Sequence, residues 1–147
     1  MTRVVDVATE SVRLPVAVAR VVKVADDVLR AEGVTAALIS LAFVTDRRIA
    51  SLNWEHLGHR GATDVISFGF APTPKGAEVV GDVYIAPGVA RRNAIAAHRG
   101  VREEVLRLVV HGILHVLGHD HPVDDTRYAS PMWRRQERLL RAAMMRA

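Results

Sequence analysis

The sequence predicts an α+β fold, with a small mixed sheet of about four strands packed against about five helices. Three observations lead to this prediction. Several segments carry apolar residues at helical spacing, short segments rich in strand-forming residues lie between them, and the two kinds of segment follow one another without an internal repeat. A chain of 147 residues is long enough to bury a core, and we expect one domain over residues 1–147.

The first half of the chain contains two predicted helices and the first predicted strand. Apolar residues at helical spacing over 16–32 predict the first helix, which Gly33 ends. The continuous apolar run over 36–44 is typical of a buried strand. The threonine and aspartate directly after that run can cap a short second helix that ends near Trp54.

Two more strands are predicted in the middle of the chain. Residues 64–70 alternate in polarity as a strand does, and the segment 71–78, rich in proline and glycine, predicts a turn or loop. Residues 79–86 predict the next strand. Pro87 is then well placed to begin a helix that ends near Ala97.

The last two predicted helices are the most apolar one and an amphipathic one. Residues 101–117 form the most apolar helical segment, with two glutamates in the first turn, where the helix dipole favours negative charge. We expect this helix to be central and largely buried, and Gly118 to end it as a left-handed cap. A polar segment over 119–130 leads to the terminal helix over 131–145, with Pro131 at its start.

The composition limits the kinds of site that the chain can form. No cysteine is present, so a disulfide framework and a thiolate metal site are excluded, and histidine or carboxylate must supply any metal ligands. The lack of cysteine suits a reducing compartment. The first residues lack the apolar core of a signal peptide, and no apolar run is long enough for a membrane span, so we expect a cytoplasmic protein without membrane contact.

The chain is basic, and its positive charge is almost all arginine. The net charge is +4, and 18 of the 20 lysines and arginines are arginines. A positive surface attracts polyanions, and the planar guanidinium group suits phosphate, so the charge is compatible with binding to RNA or the ribosome. On charge alone, however, we favour the simpler interpretation that a modest positive charge keeps a small protein soluble.

The segment HGILHVLGHDH, residues 111–121, has the HxxxHxxGxxH spacing of one class of zinc protease. On a helix, His111 and His115 lie on one face, one turn apart, so both imidazoles can reach one ion. Gly118 breaks the helix and allows His121 to approach the same ion, which leaves a fourth position open to water, as in catalytic zinc sites. We expect these three histidines to bind one Zn²⁺ and to act in catalysis through metal-bound water.

Other residues of the segment receive different interpretations. His119 is a rival third ligand, although it follows Gly118 directly and has less freedom to turn toward the ion. Asp120 is expected to support the site from outside, by accepting a hydrogen bond from the second ring nitrogen of a ligand histidine. Histidines on a buried helix can also be ordinary core residues, but the breaking glycine and the third histidine at a reachable spacing favour a metal site.

Position 112 separates this segment from the zinc proteases. Those enzymes carry a glutamate there as general base, whereas this chain has Gly112. Loss of a general base removes a rate contribution of about 10² to 10⁴, so peptide hydrolysis is disfavoured unless a carboxylate from elsewhere reaches the site. Water on zinc has a pKa of about 7, which allows phosphodiester cleavage without a strong base if cations stabilise the phosphate.

The same segment matches every fixed position of HGxLHxxGxDH, the hallmark of the YbeY family of bacterial rRNA-maturation metalloproteins. The chain resembles that family over about residues 40–140, and GDVYIA at 81–86 and MWRRQERLL in the terminal helix are similar to two further family segments. A second family block, LN…TDVxSF, is present as Leu52, Asn53, Thr63, Asp64, Val65, Ser67 and Phe68.

The resemblance implies a single-domain α+β fold and a zinc ion held by His111, His115 and His121. It also implies a single-strand-specific endoribonuclease that matures the 3′ end of 16S rRNA and acts in ribosome quality control. The expected partners are single-stranded rRNA and the ribosome or its small subunit, with ribosomal proteins in addition.

One departure from the family concerns substrate contact. The family commonly has an arginine four residues after the LN asparagine, favoured for RNA contact or catalysis, and this chain has Leu57 there. Arg60 and His59, in the same loop, are the expected replacements for substrate binding. Asp64 is the best single candidate for a catalytic polar group aimed at the site, although for each polar residue of the second block a role in building the pocket wall is favoured over direct chemistry.

The favoured function is therefore a metal-dependent endoribonuclease. A ribosome-assembly or rRNA-binding factor with a mainly structural metal site is the alternative, and an open fourth coordination position argues against it.

Overall fold

The structure, a computed structural model, describes residues 2–70 and 78–146. A short 3₁₀ helix, Asp125–Ala129, precedes the last α-helix. The regular elements are, in chain order, β1 (Arg3–Thr9), α1 (Val18–Ala31), β2 (Ala37–Phe43), α2 (Asp46–Leu57), β3 (Val65–Phe70), β4 (Val79–Ile85), α3 (Pro87–Ala96), α4 (Val101–Val116) and α5 (Pro131–Met145).

The four strands form one mixed sheet in the order β1-β2-β4-β3. β1 pairs parallel with β2, and β2 pairs parallel with β4, while β3 pairs antiparallel with β4 at the opposite edge. The four strands and five α-helices of the described residues, in this order, confirm the predicted α+β class. The predicted loop over 71–78 lies outside the described residues, except for Glu78.

The strand that the sequence pattern did not assign is β1. Its residues alternate between half-buried and exposed, as expected at a sheet edge. The alternation of polarity is hidden because charged Arg3 lies on the same side as Val5, whereas Val4 is 40% exposed on the other side. The Nε of Arg3 donates to Oδ1 of Asp26 in α1 at 2.7 Å, and this ion pair accounts for its inward position.

Helices cover the two faces of the sheet unequally. α1, α4 and α5 share the main core with inward side chains of β2 and β4, including Ile39, Leu41 and Val83. α2 covers part of the other face, where Ile49 packs in a cluster with Ile66. α4 contacts β3, β4 and the helices α1, α3 and α5, so the predicted central position of this helix is confirmed. None of the described helices has the length and apolar character that a bilayer span needs.

Glycines allow α4 to lie unusually close to the sheet. A Cβ atom at Gly112 would lie 2.5 Å from Cγ1 of Val83 in β4, a distance that real side chains do not adopt. Val116, one turn later, occupies the space where side chains at Gly69 and Gly81 would stand. The strand surface therefore fixes the height of α4, and with it the position of the histidines that α4 carries.

Candidate functional site

Three predicted ligands meet at the end of α4. The rings of His111 and His115, one helical turn apart, have centroids 4.6 Å from each other, and the ring of His121 lies 5.1 Å and 4.9 Å from them. One ring nitrogen from each histidine can be chosen such that all three lie within 4.8 Å of one another, and all three residues are half-buried. The structure thus brings together the set that the spacing predicted.

The turn after α4 explains how the third histidine returns to the first two. Gly118 has φ 97°, the left-handed conformation that favours glycine. Its N–H donates to the carbonyl of His115 at 3.0 Å, and the N–H of His119 donates to the carbonyl of Leu114 at 3.0 Å. These two bonds are the Schellman pattern, which ends a helix and reverses the chain. His121 consequently lies beside the last turn of α4.

His119, the rival ligand, has a different partner. Its Nε2 lies 2.6 Å from Oε1 of Glu32, at the end of α1, and Oε2 of the same carboxylate accepts from Nε and Nη2 of Arg135 at 2.9 Å and 2.6 Å. Burial alone would raise the pKa of Glu32, but hydrogen bonds from Arg135 and His119 outweigh burial and lower it. His119 therefore anchors the turn to α1 and α5 instead of joining the three histidines.

Outer acceptors hold the second ring nitrogens of two ligands. Nδ1 of His111 lies 2.6 Å from Oε1 of Gln136, and Nδ1 of His121 lies 2.7 Å from the carbonyl oxygen of Pro122. Nε2 of both rings is left for an ion. Asp120 was expected to accept from a ligand ring, but its Oδ1 accepts from the backbone N–H of His121 at 2.8 Å. The short side chain of Asp120 thus bonds to the next backbone N–H. The ring of His121 pairs instead with the carbonyl oxygen of Pro122.

Burial favours the neutral form of two of the three rings, those of His111 and His115. Burial, with smaller contributions from positive charge on His115 and His121, lowers the pKa of His111 to about 4 against the opposing hydrogen bond to Gln136. Burial also lowers the pKa of His115. Neutral imidazoles offer the lone pair that a metal needs, and three of them leave one position open on a tetrahedral ion. The donor set therefore fits a divalent metal such as zinc, and imidazole also suits nickel, copper and iron.

The three histidines lie in the wall of an open cleft of about 800 Å³. The start of β3 and the loop before it form one part of the wall, and the 3₁₀ helix, the turn before α4 and the start of α5 form another. Polar and aromatic side chains facing the cleft include Thr63, Asp64, Ser67, Arg99, Arg127, Tyr128 and Trp133.

Asp64 lies in this wall, half-buried. Its carboxylate accepts hydrogen bonds from the backbone of Asp64 itself and of Val65, and Nδ2 of Asn93 lies 3.4 Å from Oδ2. Burial nevertheless raises the pKa of Asp64. Asn53, from the same predicted block, is buried and donates to the carbonyl of Gly61 at 3.0 Å, so it holds the loop before β3 in place.

The two predicted substrate-binding residues lie apart from the cleft. His59 and Arg60 are exposed in the loop after α2, and neither belongs to the cleft lining; the guanidinium of Arg60 lies 5.3 Å from the ring centroid of Trp54. This placement differs from the prediction because α2 extends three residues beyond Trp54. Leu57 ends the longer helix and lines the cleft itself.

Sequence reasoning missed a chain of polar contacts behind His111. Arg107, buried in α4, donates to Glu104 at 2.8 Å and, through Nε and Nη2, to Glu137 at 2.8 Å and 3.0 Å. Gln136 connects Glu137 to His111. Gln136 could have been identified from the sequence, because it is a polar residue on the apolar stripe of an amphipathic helix. Arg107 could not, because its position is typical of an ordinary surface residue of a helix.

The packing around Gly112 leaves no space for the glutamate that the zinc proteases carry at this position. Gly112 packs on Val83 and Val65, where a glutamate side chain would have no room. The base of the zinc proteases is thus excluded at that position by the packing of α4 on the sheet.

Comparisons with known proteins agree with this site. The family model described as Endoribonuclease YbeY matches residues 6–144. Relatives named Endoribonuclease YbeY include one from Anaeromyxobacter sp. (strain Fw109-5), 42% identical over 78% of this chain and 58% of its own length. Others come from Pelotomaculum thermopropionicum, 38% identical over 80% of each chain, and Chlorobium phaeobacteroides, 34% identical over 77% of this chain and 78% of its own.

The length of the match differs among relatives. The chain spans 58% and 48% of the two Anaeromyxobacter relatives. A solution structure of a protein from Thermotoga maritima superimposes with a TM-score of 0.60 over 95% of this chain and 89% of that one, at 22% identity, and so shares the fold. A family model that covers residues 6–144, together with relatives of this identity, shows that the chain belongs to the YbeY family.

Proposed function

We propose that this chain is a zinc-dependent endoribonuclease that cuts single-stranded RNA, in maturing the 3′ end of 16S rRNA and in ribosome quality control. The observation that carries the proposal is the set of three imidazoles that meet in the wall of a cleft that also presents arginines. The names of the relatives support the reaction class. The proposed partners are single-stranded rRNA and the small ribosomal subunit, with ribosomal proteins in addition, in the cytoplasm.

Each part of the proposed site has a distinct task. Zinc, when bound, supplies Lewis acidity at the phosphate that is to be cleaved. His111, His115 and His121 hold the ion by their ring nitrogens. Burial lowers the pKa of His111 and of His115, so these two rings stay ready to bind metal at neutral pH.

Arginines of the cleft supply positive charge for the phosphate oxygens. Arg127 lines the cleft with Asp64 and His111. Burial dominates the pKa of both groups, raising that of Asp64 and lowering that of His111, and the charge of Arg127 opposes the first change and adds to the second. Arg99 also lines the cleft, where its nearest acidic partner is 3.9 Å away. Arg107 is different because two glutamates already bind it closely. We therefore assign phosphate binding to Arg99 and Arg127.

Asp64 is the group that we assign to proton transfer. Its raised pKa brings the carboxyl group closer to the range in which it both takes and gives a proton. The proton comes from the attacking hydroxyl, which belongs either to water or to the 2′ position of the ribose. Products that end in a 2′,3′-cyclic phosphate identify the ribose hydroxyl, since attack by water cannot form them.

The cleft also supports a preference for unpaired RNA. A single strand can bend so that one phosphate enters beside half-buried histidines. An A-form duplex is stiff and holds its phosphates on a convex outer surface. Its backbone therefore cannot bend to follow the concave wall of the cleft. The histidines are half-buried rather than displayed on a convex surface, and this favours the flexible substrate.

Cleavage of a single-stranded RNA with the 16S 3′-precursor sequence, beside a duplex control, tests the proposal. Four proteins are compared after identical purification: zinc-loaded wild type, chelated wild type, His115→Ala and the matched control His98→Asn. His98 is exposed outside the cleft lining and has φ 55°, which asparagine tolerates. A fifth, Asp64→Asn, keeps the metal ligands and should lose about 10² to 10⁴ in rate.

The expected result is cleavage of the single strand by zinc-loaded wild type and His98→Asn alone. Equal cleavage by all proteins would indicate a contaminating nuclease. If none cleaves while RNA or ribosome binding persists in wild type and His115→Ala, the chain acts as a ribosome-assembly factor and the proposal is wrong.

A further inference from the structure

Two aromatic rings lie next to each other in the cleft wall and have no role in the proposed reaction. Tyr128 belongs to the 3₁₀ helix and Trp133 to the first turn of α5. Their ring centroids are 4.8 Å apart with the planes at 80°, and both residues line the cleft that holds the three histidines. The chain has only two tryptophans and two tyrosines, so half of these residues lie in one wall.

Each ring has an arginine beside it. The guanidinium carbon of Arg99 lies 6.0 Å from the ring centroid of Trp133, and that of Arg127 lies 4.9 Å from the ring centroid of Tyr128. Nη2 of Arg127 also donates to the hydroxyl of Tyr128 at 2.9 Å. The result is an aromatic surface with positive charge at its margin.

A buried serine fixes the two parts of this surface relative to each other. Ser130 donates from Oγ to the carbonyl of Arg127 at 2.6 Å and accepts at Oγ from the N–H of Trp133 at 3.2 Å. This is an N-cap of α5, and Pro131 follows it in the first helical turn. The rings are therefore held in place before any ligand binds.

Core packing does not account for the pair. Tyr128 is 48% exposed, and neither ring belongs to the two hydrophobic clusters that the described part of the chain forms. Exposed aromatic rings cost solvation and favour a partner of flat, polarisable chemistry. Nucleobases have that chemistry, and every base presents a π-face.

We propose that Tyr128 and Trp133 form a stacking subsite for one unpaired nucleobase of the RNA strand, next to the metal centre, with Arg99 and Arg127 on the phosphates that flank it. This inference rests on the proposed function and adds a binding element to it. Unpaired bases stack on aromatic rings and arginine planes in single-strand recognition, whereas bases inside a duplex are already stacked on each other. The subsite therefore selects single-stranded RNA.

Tryptophan fluorescence tests the subsite without relying on cleavage. Trp54→Phe leaves Trp133 as the single emitter, and Trp133→Phe leaves Trp54. Trp54 is the control because its ring is exposed and also has an arginine beside it, Arg60, 5.3 Å from its ring centroid, but it does not line the cleft. Each protein is titrated in EDTA with an eight-residue oligouridylate. We expect quenching in Trp54→Phe and none in Trp133→Phe.

Affinities provide a second readout. Trp133→Ala should weaken oligouridylate binding by roughly tenfold to a hundredfold, the usual effect of losing one stacked base, and Trp133→Phe should restore most of it. Trp54→Ala should bind as wild type does. Tyr128→Ala, on the exposed ring, should also weaken binding, and circular dichroism checks that each variant is folded. If Trp133→Ala does not fold, Tyr128→Ala and an oligonucleotide with abasic positions decide the question.

The outcomes separate this inference from the proposed function. Zinc-dependent cleavage by wild type without quenching of Trp133, and with unchanged binding by Trp133→Ala and Tyr128→Ala, overturns the subsite and leaves the endoribonuclease standing. Quenching of Trp133 with the expected losses of affinity, but no cleavage by zinc-loaded wild type, supports the subsite and overturns the nuclease. Quenching that follows Trp54 overturns the subsite.

Discussion

The side-chain amide of Gln136 joins a partly buried ion pair, Arg107 with Glu137, to the ring of His111. Its Nε2 donates to Oε2 of Glu137 at 3.0 Å, and its Oε1 lies 2.6 Å from Nδ1 of His111. Arg107 keeps Glu137 charged, because its hydrogen bonds, together with that of Gln136, lower the pKa of Glu137 against the opposing effect of burial. A carboxylate only accepts, so the amide oxygen must face His111. Nδ1 of His111 then carries the proton, and Nε2 is free for the metal.

Replacing Gln136 should therefore weaken metal binding. Gln136→Leu removes the acceptor for Nδ1–H and should lower zinc affinity by about 10- to 100-fold, the usual effect of losing an outer partner of a ligand histidine. Competition with a chromogenic chelator at pH 7 measures the affinity. Gln136→Glu keeps an acceptor and should stay closer to wild type. Arg138→Leu, an exposed change on the same helix, is the control. Unchanged affinity in Gln136→Leu would contradict the tautomer argument.

Two histidines of one turn should differ in how much they contribute to zinc affinity. His121 lies with the other ligands, whereas His119 binds Glu32. His121→Ala should lower zinc affinity by roughly a hundredfold or more, since zinc sites bind with about 10–16 kcal/mol spread over four ligands. His119→Ala should lower it by less than about tenfold, because only an anchor of the turn is lost. The same chelator competition measures both, and equal losses would show that the assignment of the third ligand is wrong.

The two glycines that lie inside helices should also differ. In an open helix position, glycine to alanine stabilises by roughly 0.5–1 kcal/mol. At Gly112 the new methyl group would meet Val83 at 2.5 Å, so Gly112→Ala should instead destabilise by about 1–3 kcal/mol. At Gly88 the nearest atom is Oδ1 at the end of the half-buried Asp46 side chain, which together with its partner Arg92 at the surface can move aside. Urea unfolding of the metal-free proteins should show a lower midpoint for Gly112→Ala and little change for Gly88→Ala.

Local patterns were sufficient to predict most of the fold. Helical spacing and caps predicted α1 and α4, and Gly33 and Gly118 both end helices with positive φ, as predicted. β1 was not predicted because Arg3 lies on its inner side, where the ion pair with Asp26 replaces an apolar contact. That contact joins residues 23 positions apart, and a local pattern does not contain it.

The metal ligands could be predicted because all three lie in eleven consecutive residues, where helix geometry and one glycine determine their approach. The rest of the site could not. Arg127 and Tyr128 lie in a segment without periodicity, and they reach the cleft only because Ser130 caps α5 there. Arg60 had the right chemistry for phosphate, but a helix three residues longer than predicted left it on the outer surface. Cleft walls depend on how separate elements pack, which spacing along the chain does not report.

The carboxylate of Glu32 should give the protein a pH-dependent contribution to stability. Its pKa is lowered in the folded protein, since hydrogen bonds from Arg135 and His119 outweigh the effect of burial. The folded state then binds fewer protons than the unfolded state near and below the ordinary pKa of 4.5. The contribution is thus fully present above that ordinary pKa, and it is lost as pH falls through the lower, folded value.

The variant Glu32→Gln isolates the contribution of the Glu32 carboxylate to the free energy of unfolding. At pH 7 the variant should be less stable than wild type by about 1–2 kcal/mol, because charged hydrogen bonds become neutral and Arg135 is partly exposed. At pH 3 the difference should shrink, since the wild-type carboxylate is itself becoming protonated. Urea midpoints at both values measure it on metal-free protein, with Glu55→Gln, an exposed change in α2, as the control. A difference that grows toward low pH would mean that Glu32 is held in its neutral form, and that the turn carrying His121 is anchored by some other contact.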